Sequence, residues 1–253
     1  MSLALNELYK SFGGNQVIGG VSLEIEDRKV TSLVGPNGAG KTTLFNIVTG
    51  FIALDRGTIR FAGRDLSGLT PQAIKRHGLA RTFQNLRLFL DMTVRENVLV
   101  ALESDMSVNF WSRANLGPVE RVLRRVGLWE QREKMAGELS YAERKFLSLA
   151  RVLATGAPCL LLDEPASGLD GPSLRLFHEL IREFKDGGGT VLLIEHNLDI
   201  VRDVSDRIVF LDKGRIAAAG TPDEIFSNPV LGELYFGIRV GATAAEGSGH
   251  AAR

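Results

Sequence analysis

The stretch Gly35-Pro36-Asn37-Gly38-Ala39-Gly40-Lys41-Thr42 decides how this 253-residue chain is read. It fits the pattern G-x-x-x-x-G-K-[ST], in which glycines let successive backbone N–H groups curl around phosphate oxygens. A helix beginning at the lysine adds the positive end of its dipole, the Lys41 ammonium reaches the outer phosphates, and the Thr42 hydroxyl can sit on Mg²⁺. The pattern carries meaning only between a strand and a helix, and both flanks comply. Val30-Thr31-Ser32-Leu33-Val34 reads as a buried strand. Lys41–Thr49 reads as a helix with Leu44, Ile47 and Val48 on one face and Gly50 at its C-terminal end.

Outward from that loop, Val21, Leu23 and Ile25 alternate with polar residues as in a half-buried strand. Further strands are predicted at Thr58–Phe61, Cys159–Leu162, Thr190–Ile194, Arg207–Leu211 and Ile216–Ala218, with helices at Pro172–Lys185 and Asp199–Val204. The second half therefore alternates strand and helix and closes on a β-hairpin. Between about Asn85 and Gly156 the pattern turns helical, at Val94–Leu102, Val119–Val126 and Ser140–Leu153. The expectation is one α/β domain over residues 1–236, with a core from about 1–84 and 157–236 and a helical subdomain at about 85–156. Residues 237–253 are rich in Gly, Ala and Ser without apolar periodicity and are expected to be a disordered tail.

Leu160-Leu161-Leu162-Asp163-Glu164 is an apolar strand that ends in two acids, where a buried strand releases its chain at the C-terminal edge of a sheet. A pair of acids after a strand is often only a solvated loop. Following a phosphate cradle, and preceding Pro165-Ala166-Ser167-Gly168-Leu169-Asp170, it reads as chemistry. Asp163 is assigned to Mg²⁺ through water, and Glu164 to orienting a water for in-line attack on the outermost phosphorus of ATP.

Composition excludes several alternatives. Thirty basic residues balance thirty acidic ones, so no global field recruits nucleic acid, and none is expected as a partner. The single cysteine, Cys159, is read as a buried structural thiol in a reducing compartment. No apolar run approaches the roughly 18 residues of a membrane span, and the N-terminus lacks signal-peptide organisation. The chain is expected in the cytoplasm.

Taken in order, GPNGAGKTT at Gly35–Thr43, Gln84 within RTFQ, LSYAE at Leu139–Glu143, LLLDEP, SGLD and His196 resemble the nucleotide-binding subunits of ABC transporters across nearly the whole chain. RTFQNLRLFLDMTVRENVLVA from Arg81 to Ala101, LLIEHNLDIV from Leu192 to Val201 and the C-terminal GTPDEIFSNPVLGELYFG are similar to the branched-chain amino-acid importer group. The resemblance implies a P-loop NTPase core with a mixed sheet, an antiparallel β subdomain and an inserted helical subdomain. It implies a dimer holding two ATP molecules head to tail, each between one subunit's P-loop, Thr43 included, and the other's signature Ser140-Tyr141-Ala142-Glu143. By the same resemblance Gln84 senses Mg²⁺ and the γ-phosphate, His196 contacts that phosphate, and Asp170 lies across the interface. Phe12 matches the aromatic that stacks on adenine; Tyr9 is the alternative.

The partners implied are a second ATPase subunit of the same or related sequence, permease subunits in the membrane and, indirectly, a solute-binding protein. The chain is then peripheral on the inner face of the membrane. Leu86, Leu88, Phe89 and Leu90, followed by Val94, Val98 and Val100, fall in the region expected to accept a permease's coupling helix. Ala142 departs from the family's glycine, adding a methyl where backbone approaches phosphate and a cost if that position needs positive φ. Ser140 with Glu143 also spells a helix-capping box, a reading compatible with the signature. Urea or amide import, a soluble non-transport ABC ATPase, a P-loop kinase and a non-hydrolysing scaffold are the competing readings.

Overall fold

Apolar runs bounded by turn residues become strands buried on both faces, and two of them organise this chain. The computed structural model describes residues 1–102 and 113–228. β7 (Cys159–Asp163) and β8 (Thr190–Ile194) are buried at every position. Their side chains alternate between two cores: Cys159, Leu161, Leu192 and Ile194 enter one, and Leu160, Leu162, Val191 and Leu193 the other. β3 (Val30–Val34) lies beside β8, and β6 (Leu79–Arg81) beside β7. With β9 (Arg207–Asp212) and β10 (Arg215–Gly220) they form a six-stranded sheet in the order β10-β9-β3-β8-β7-β6. The pairings β9-β3, β3-β8, β8-β7 and β7-β6 are parallel, and the β9–β10 hairpin is antiparallel.

A second, antiparallel sheet has the order β2-β1-β4-β5, from β1 (Leu3–Phe12), β2 (Asn15–Ile25), β4 (Arg56–Phe61) and β5 (Arg64–Asp65). Its inward face, including Leu3, Leu5, Ile18, Val21 and Phe61, shares one core with α1 (Lys41–Val48) and the strands of the larger sheet. On the opposite face lie α3 (Val94–Leu102), α4 (Arg113–Arg125) and α5 (Tyr141–Ala154), inserted between β6 and β7, and α6 (Gly171–Asp186). The shorter helices are α2 (Pro71–Arg76), α7 (Leu198–Val204) and α8 (Pro222–Phe226).

The α/β class, the closing hairpin and the antiparallel β unit are as the sequence implies. Most expected strands and helices recur within a residue or two of their predicted bounds, α3, β3 and β8 without displacement, whereas β2 and α4 each begin six residues before the predicted start. β1, β5, β6, α2 and α8 were not anticipated. Val94 and Val98 are fully buried, so they belong to the core and not to an outward groove. Cys159 is buried, and burial pushes its thiol up to about 12. The tail at residues 237–253 lies outside the described residues.

Leu161 is fully buried in the core shared with the antiparallel sheet. Leu161→Ala removes packing on which both sheets depend and is expected to lower unfolding stability by about 2–5 kcal/mol in urea titration. A loss under about 1 kcal/mol would show that the strand relaxes into the cavity.

Candidate nucleotide site

β3, β8, β7 and β6 run parallel, so their C-terminal ends open at one edge of the sheet. The segments leaving that edge are the Gly35–Lys41 loop after β3, Glu195-His196 after β8, Asp163-Glu164 at the end of β7, and Gln84 three residues beyond β6. This is where ligands bind in open α/β sheets.

The loop after β3 keeps its shape through backbone contacts that only glycine allows. A side-chain carbon on Gly35 would stand 2.0 Å from the Leu211 carbonyl oxygen. Gly40, at φ 104, packs so closely on β2 that a Cβ would lie 2.9 Å from Ile18 Cδ1 and 3.1 Å from the Val17 carbonyl oxygen. Ala39 N–H donates to the Pro36 carbonyl at 3.2 Å, closing the turn through Asn37 and Gly38. Gly40 then leads into α1 with no side-chain cap, whereas Thr70, Ser140, Asp170, Asn197 and Thr221 cap α2, α5, α6, α7 and α8. The first-turn N–H groups of α1 are thus left for an anion. Lys41 is buried, and its ammonium donates to the Gly35 and Pro36 carbonyls at 2.7 and 2.9 Å. Burial lowers its pKa, opposed by the charges of Glu164 and Asp163. Thr42 is exposed and Thr43 half-buried at the start of α1.

Glu164 sits between its two neighbours. Its Oε1 lies 2.8 Å from His196 Nε2, and its Oε2 accepts from Gln84 Nε2 at 3.2 Å. A carboxylate on Nε2 calls for the imidazole proton on that nitrogen. Glu164 is held at φ 48, a left-handed backbone that costs an ordinary residue about 1–2 kcal/mol. Its N–H donates to the Ile194 carbonyl at 2.9 Å, and its carbonyl accepts from Lys145 Nζ at 2.5 Å.

Behind it Asp163 is buried, which raises its pKa, while the Arg81 guanidinium works in the other direction. Arg81 Nη2 reaches Asp163 Oδ2 at 3.2 Å. Asp163 Oδ1 is buried with no hydrogen-bond partner among the described residues. A buried carboxylate oxygen without a protein partner, together with an exposed threonine at the start of α1, is a donor set that fits a magnesium ion completed by phosphate and water. Among the described residues no cluster of three His, Cys, Asp or Glu could hold a metal unaided.

Arg81 is the residue of this site that sequence reasoning missed. Besides Asp163, it donates to Asn46 Oδ1 at 2.7 Å, to Thr49 Oγ1 at 3.0 Å and to the Thr82 carbonyl at 3.1 Å. Its guanidinium lies 4.6 Å from the Phe83 ring centroid and 5.7 Å from that of Phe51. One buried cation therefore joins α1, β6 and β7. An arginine ending a short apolar strand was the available signal.

Lys41, Asp163, Glu164, Gln84 and His196 thus come together at one edge. Gly35–Gly40, Thr42 and Thr43 adjoin Lys41 in the same loop and helix start, whereas the predicted aromatic and signature residues make local contacts of their own. Phe12 is 46% exposed beside the tip of the β1–β2 hairpin, with Lys10 Nζ 5.3 Å from its ring centroid. Tyr9 has Arg56 over its ring at 4.4 Å and donates its hydroxyl proton to Glu7. Ser140 caps α5 reciprocally with Glu143, at 3.3 and 2.8 Å, and Tyr141 leans its exposed ring toward Gly168. Asp170 caps α6 by accepting from Ser173 N–H at 3.0 Å, and hydrogen bonding by the Ser173 hydroxyl and then its N–H lowers the Asp170 pKa. Ala142 lies in the first turn of α5 and is not among the positive-φ residues. The conformational cost considered for it from sequence is absent, because a helical φ accepts a Cβ freely.

A phosphate cradle, a buried acid with a free oxygen and a carboxylate between histidine and glutamine define a P-loop nucleotide-binding protein. The chain belongs to the ABC transporter family, whose model matches residues 18–167. It is 42% identical to the high-affinity branched-chain amino acid transport ATP-binding protein LivG of Salmonella typhimurium, covering 93% of this chain and 97% of that protein. It is 39% identical to the corresponding protein BraF of Pseudomonas aeruginosa over the same shares. Among solved structures, a nucleotide-free ATP-binding cassette from an ABC transporter matches with a TM-score of 0.85 at 30% identity, covering 93% of this chain and 99% of that one. A cassette in its ADP conformation matches with a TM-score of 0.84 at 30% identity, covering 94% and 99%.

Two predictions follow from this geometry. Arg81→Leu strands Asp163 in a buried setting and is expected to cost about 3 kcal/mol in urea unfolding. Adding Asp163→Asn should return part of that loss, whereas strictly additive losses would show that the pair is not coupled. Ala142→Gly relieves no backbone strain, so it should lower stability by up to about 1 kcal/mol. A rise in the unfolding midpoint would contradict the helical placement.

Proposed function

We propose that this chain hydrolyses ATP to drive a membrane importer of branched-chain amino acids. The observation that carries the reading is the Glu164 carboxylate, suspended between His196 and Gln84 at the edge where the Lys41 loop opens. In this reading the Gly35–Thr43 backbone and Lys41 hold the phosphates, with Lys41 exchanging its two loop carbonyls for phosphate oxygens. Asp163, Thr42 and Gln84 would hold Mg²⁺, which when bound neutralises charge on the phosphates. Glu164 accepts a proton from the attacking water, and His196 orients that carboxylate and faces the γ-phosphate. Phe12 offers an exposed ring face to adenine.

Ser140 and Tyr141 stand exposed at the start of α5, which supports use of the signature by a second ATPase subunit. Ser140 and the first turn of α5 would face that partner's γ-phosphate, and Asp170 would lie near it. The Ala142 methyl can then act only by its bulk toward that phosphate. Permease docking is supported by a cavity of about 280 Å³ between the sheet edge and the inserted helices, lined in part by Phe51, Phe83, Leu86, Val100 and Arg151. Phe89 and Leu90, 45% and 47% exposed, follow in the same segment. No described helix is long and apolar enough to cross a membrane, which fits attachment through permease subunits. The substrate class comes from the names of the relatives that match over nearly their full length.

Glu164→Gln in the complex that co-purifies with this chain, reconstituted in vesicles with its binding protein, tests the reading. Expected are ATP turnover lower by about 100-fold or more, retained ATP binding and loss of leucine uptake. Undiminished turnover would refute the role of Glu164, and uptake of a different solute by the wild-type complex would refute the substrate.

A further inference from the structure

Two charged side chains beneath the site have no part in the reaction as described. Lys145, in the second turn of α5, is 7% exposed, and Glu195, the residue immediately after β8, is 2% exposed. Burying a lone ammonium or carboxylate is costly, so each calls for a partner and for a reason to be there. Their charges act on one another. Lys145 also donates to the Glu164 carbonyl at 2.5 Å. Glu195 accepts from Ala166 N–H through Oε1 at 2.8 Å, and from its neighbour His196 N–H through Oε2 at 3.3 Å. The pair therefore grips the chain on both sides of Pro165 and at the root of His196.

This grip falls where the backbone most needs support. Glu164 stands at φ 48, a region that a residue with a Cβ leaves unless its surroundings over-determine it. Its N–H is held by the Ile194 carbonyl and its carbonyl by Lys145. Rotation of that peptide would swing the carboxylate away from His196 and Gln84.

We propose that Lys145 is a positioning residue for hydrolysis: with Glu195 as its counter-charge, it locks the backbone from which the Glu164 carboxylate reaches between His196 and Gln84. Because Lys145 rides on the helix that Ser140 caps, it also ties the signature end of α5 to the chain's own Glu164. This rests on the reading of Glu164 as the water-orienting group.

The test uses the full-length chain in its co-purified complex, measuring ATP turnover at varied ATP and affinity for a fluorescent ATP analogue. Lys145→Met is expected to lower kcat about tenfold while KM and analogue affinity stay within about twofold. Lys145→Arg, which can still donate, should recover most of the rate. Lys145→Met with Glu195→Gln removes both buried charges, keeps an acceptor for Ala166, and should fold yet remain slow. A wild-type kcat in the double variant, or a loss confined to KM or to folding stability, overturns the proposal. Glu164→Gln separates the two failures: full turnover there sinks the reading beneath it, whereas an inactive Glu164→Gln beside a fast double variant sinks only the role of Lys145.

Discussion

The parallel ladder β3-β8-β7-β6 constrains everything at the site, because neighbouring strands about 4.8 Å apart must release their chains side by side. Glu164 leaves β7 and finds His196 from the strand on one side and Gln84 from the strand on the other. The Gly35–Lys41 loop leaves the next strand along. Three groups distant in sequence meet because the ladder has a fixed order and register, and no long-range contact among them has to be found independently. Covering that ladder on both faces is what the two alternating cores accomplish.

Charges set into such a sheet lose their water, and the structure answers each with a partner from another element. Arg81 satisfies one oxygen of Asp163 and also donates to Asn46 in α1 and to Thr49 at its C-terminal end, so the helix after the phosphate loop is bound to the strand carrying the acids. The second oxygen of Asp163 is buried with no hydrogen-bond partner among the described residues, a desolvation cost that a bound cation would offset in the proposed function. Lys145 and Glu195 influence one another by charge without a direct hydrogen bond, and each is fastened to backbone beside Glu164 instead of to a side chain. Such pairs add little net stability compared with apolar packing, and their value lies in fixing geometry.

How legible each part was follows from its local physics. β7 and β8 are continuous apolar runs, and α3, α5 and α6 show helical periodicity or clear caps, so these were readable. β1 was not, because its alternation slips: Leu3 and Leu5 are buried in step, then Glu7 at φ 48 shifts the register and Leu8 takes the buried place. β6 has three residues and α2 and α8 only six and five, too short for any period to show. Thr70-Pro71 and Thr221-Pro222 did announce α2 and α8 as cap followed by N1 proline. In the site, residues fixed by motif were readable, whereas Arg81, Lys145 and Glu195 owe their roles to contacts across 19 to 82 positions.

Ala142 shows how far sequence departure and physical consequence can separate. From the motif alone the replacement of glycine threatens the backbone, but in the first turn of α5 the backbone is helical and a Cβ is welcome. The same turn is capped by Ser140 and Glu143, so the helix start is rigid before any partner arrives. A rigid start has a consequence for the proposed dimer. If the first turn of α5 cannot flex, a push at its tip travels along the helix instead of being absorbed there, and Lys145, five residues on, is where that helix meets the Glu164 carbonyl.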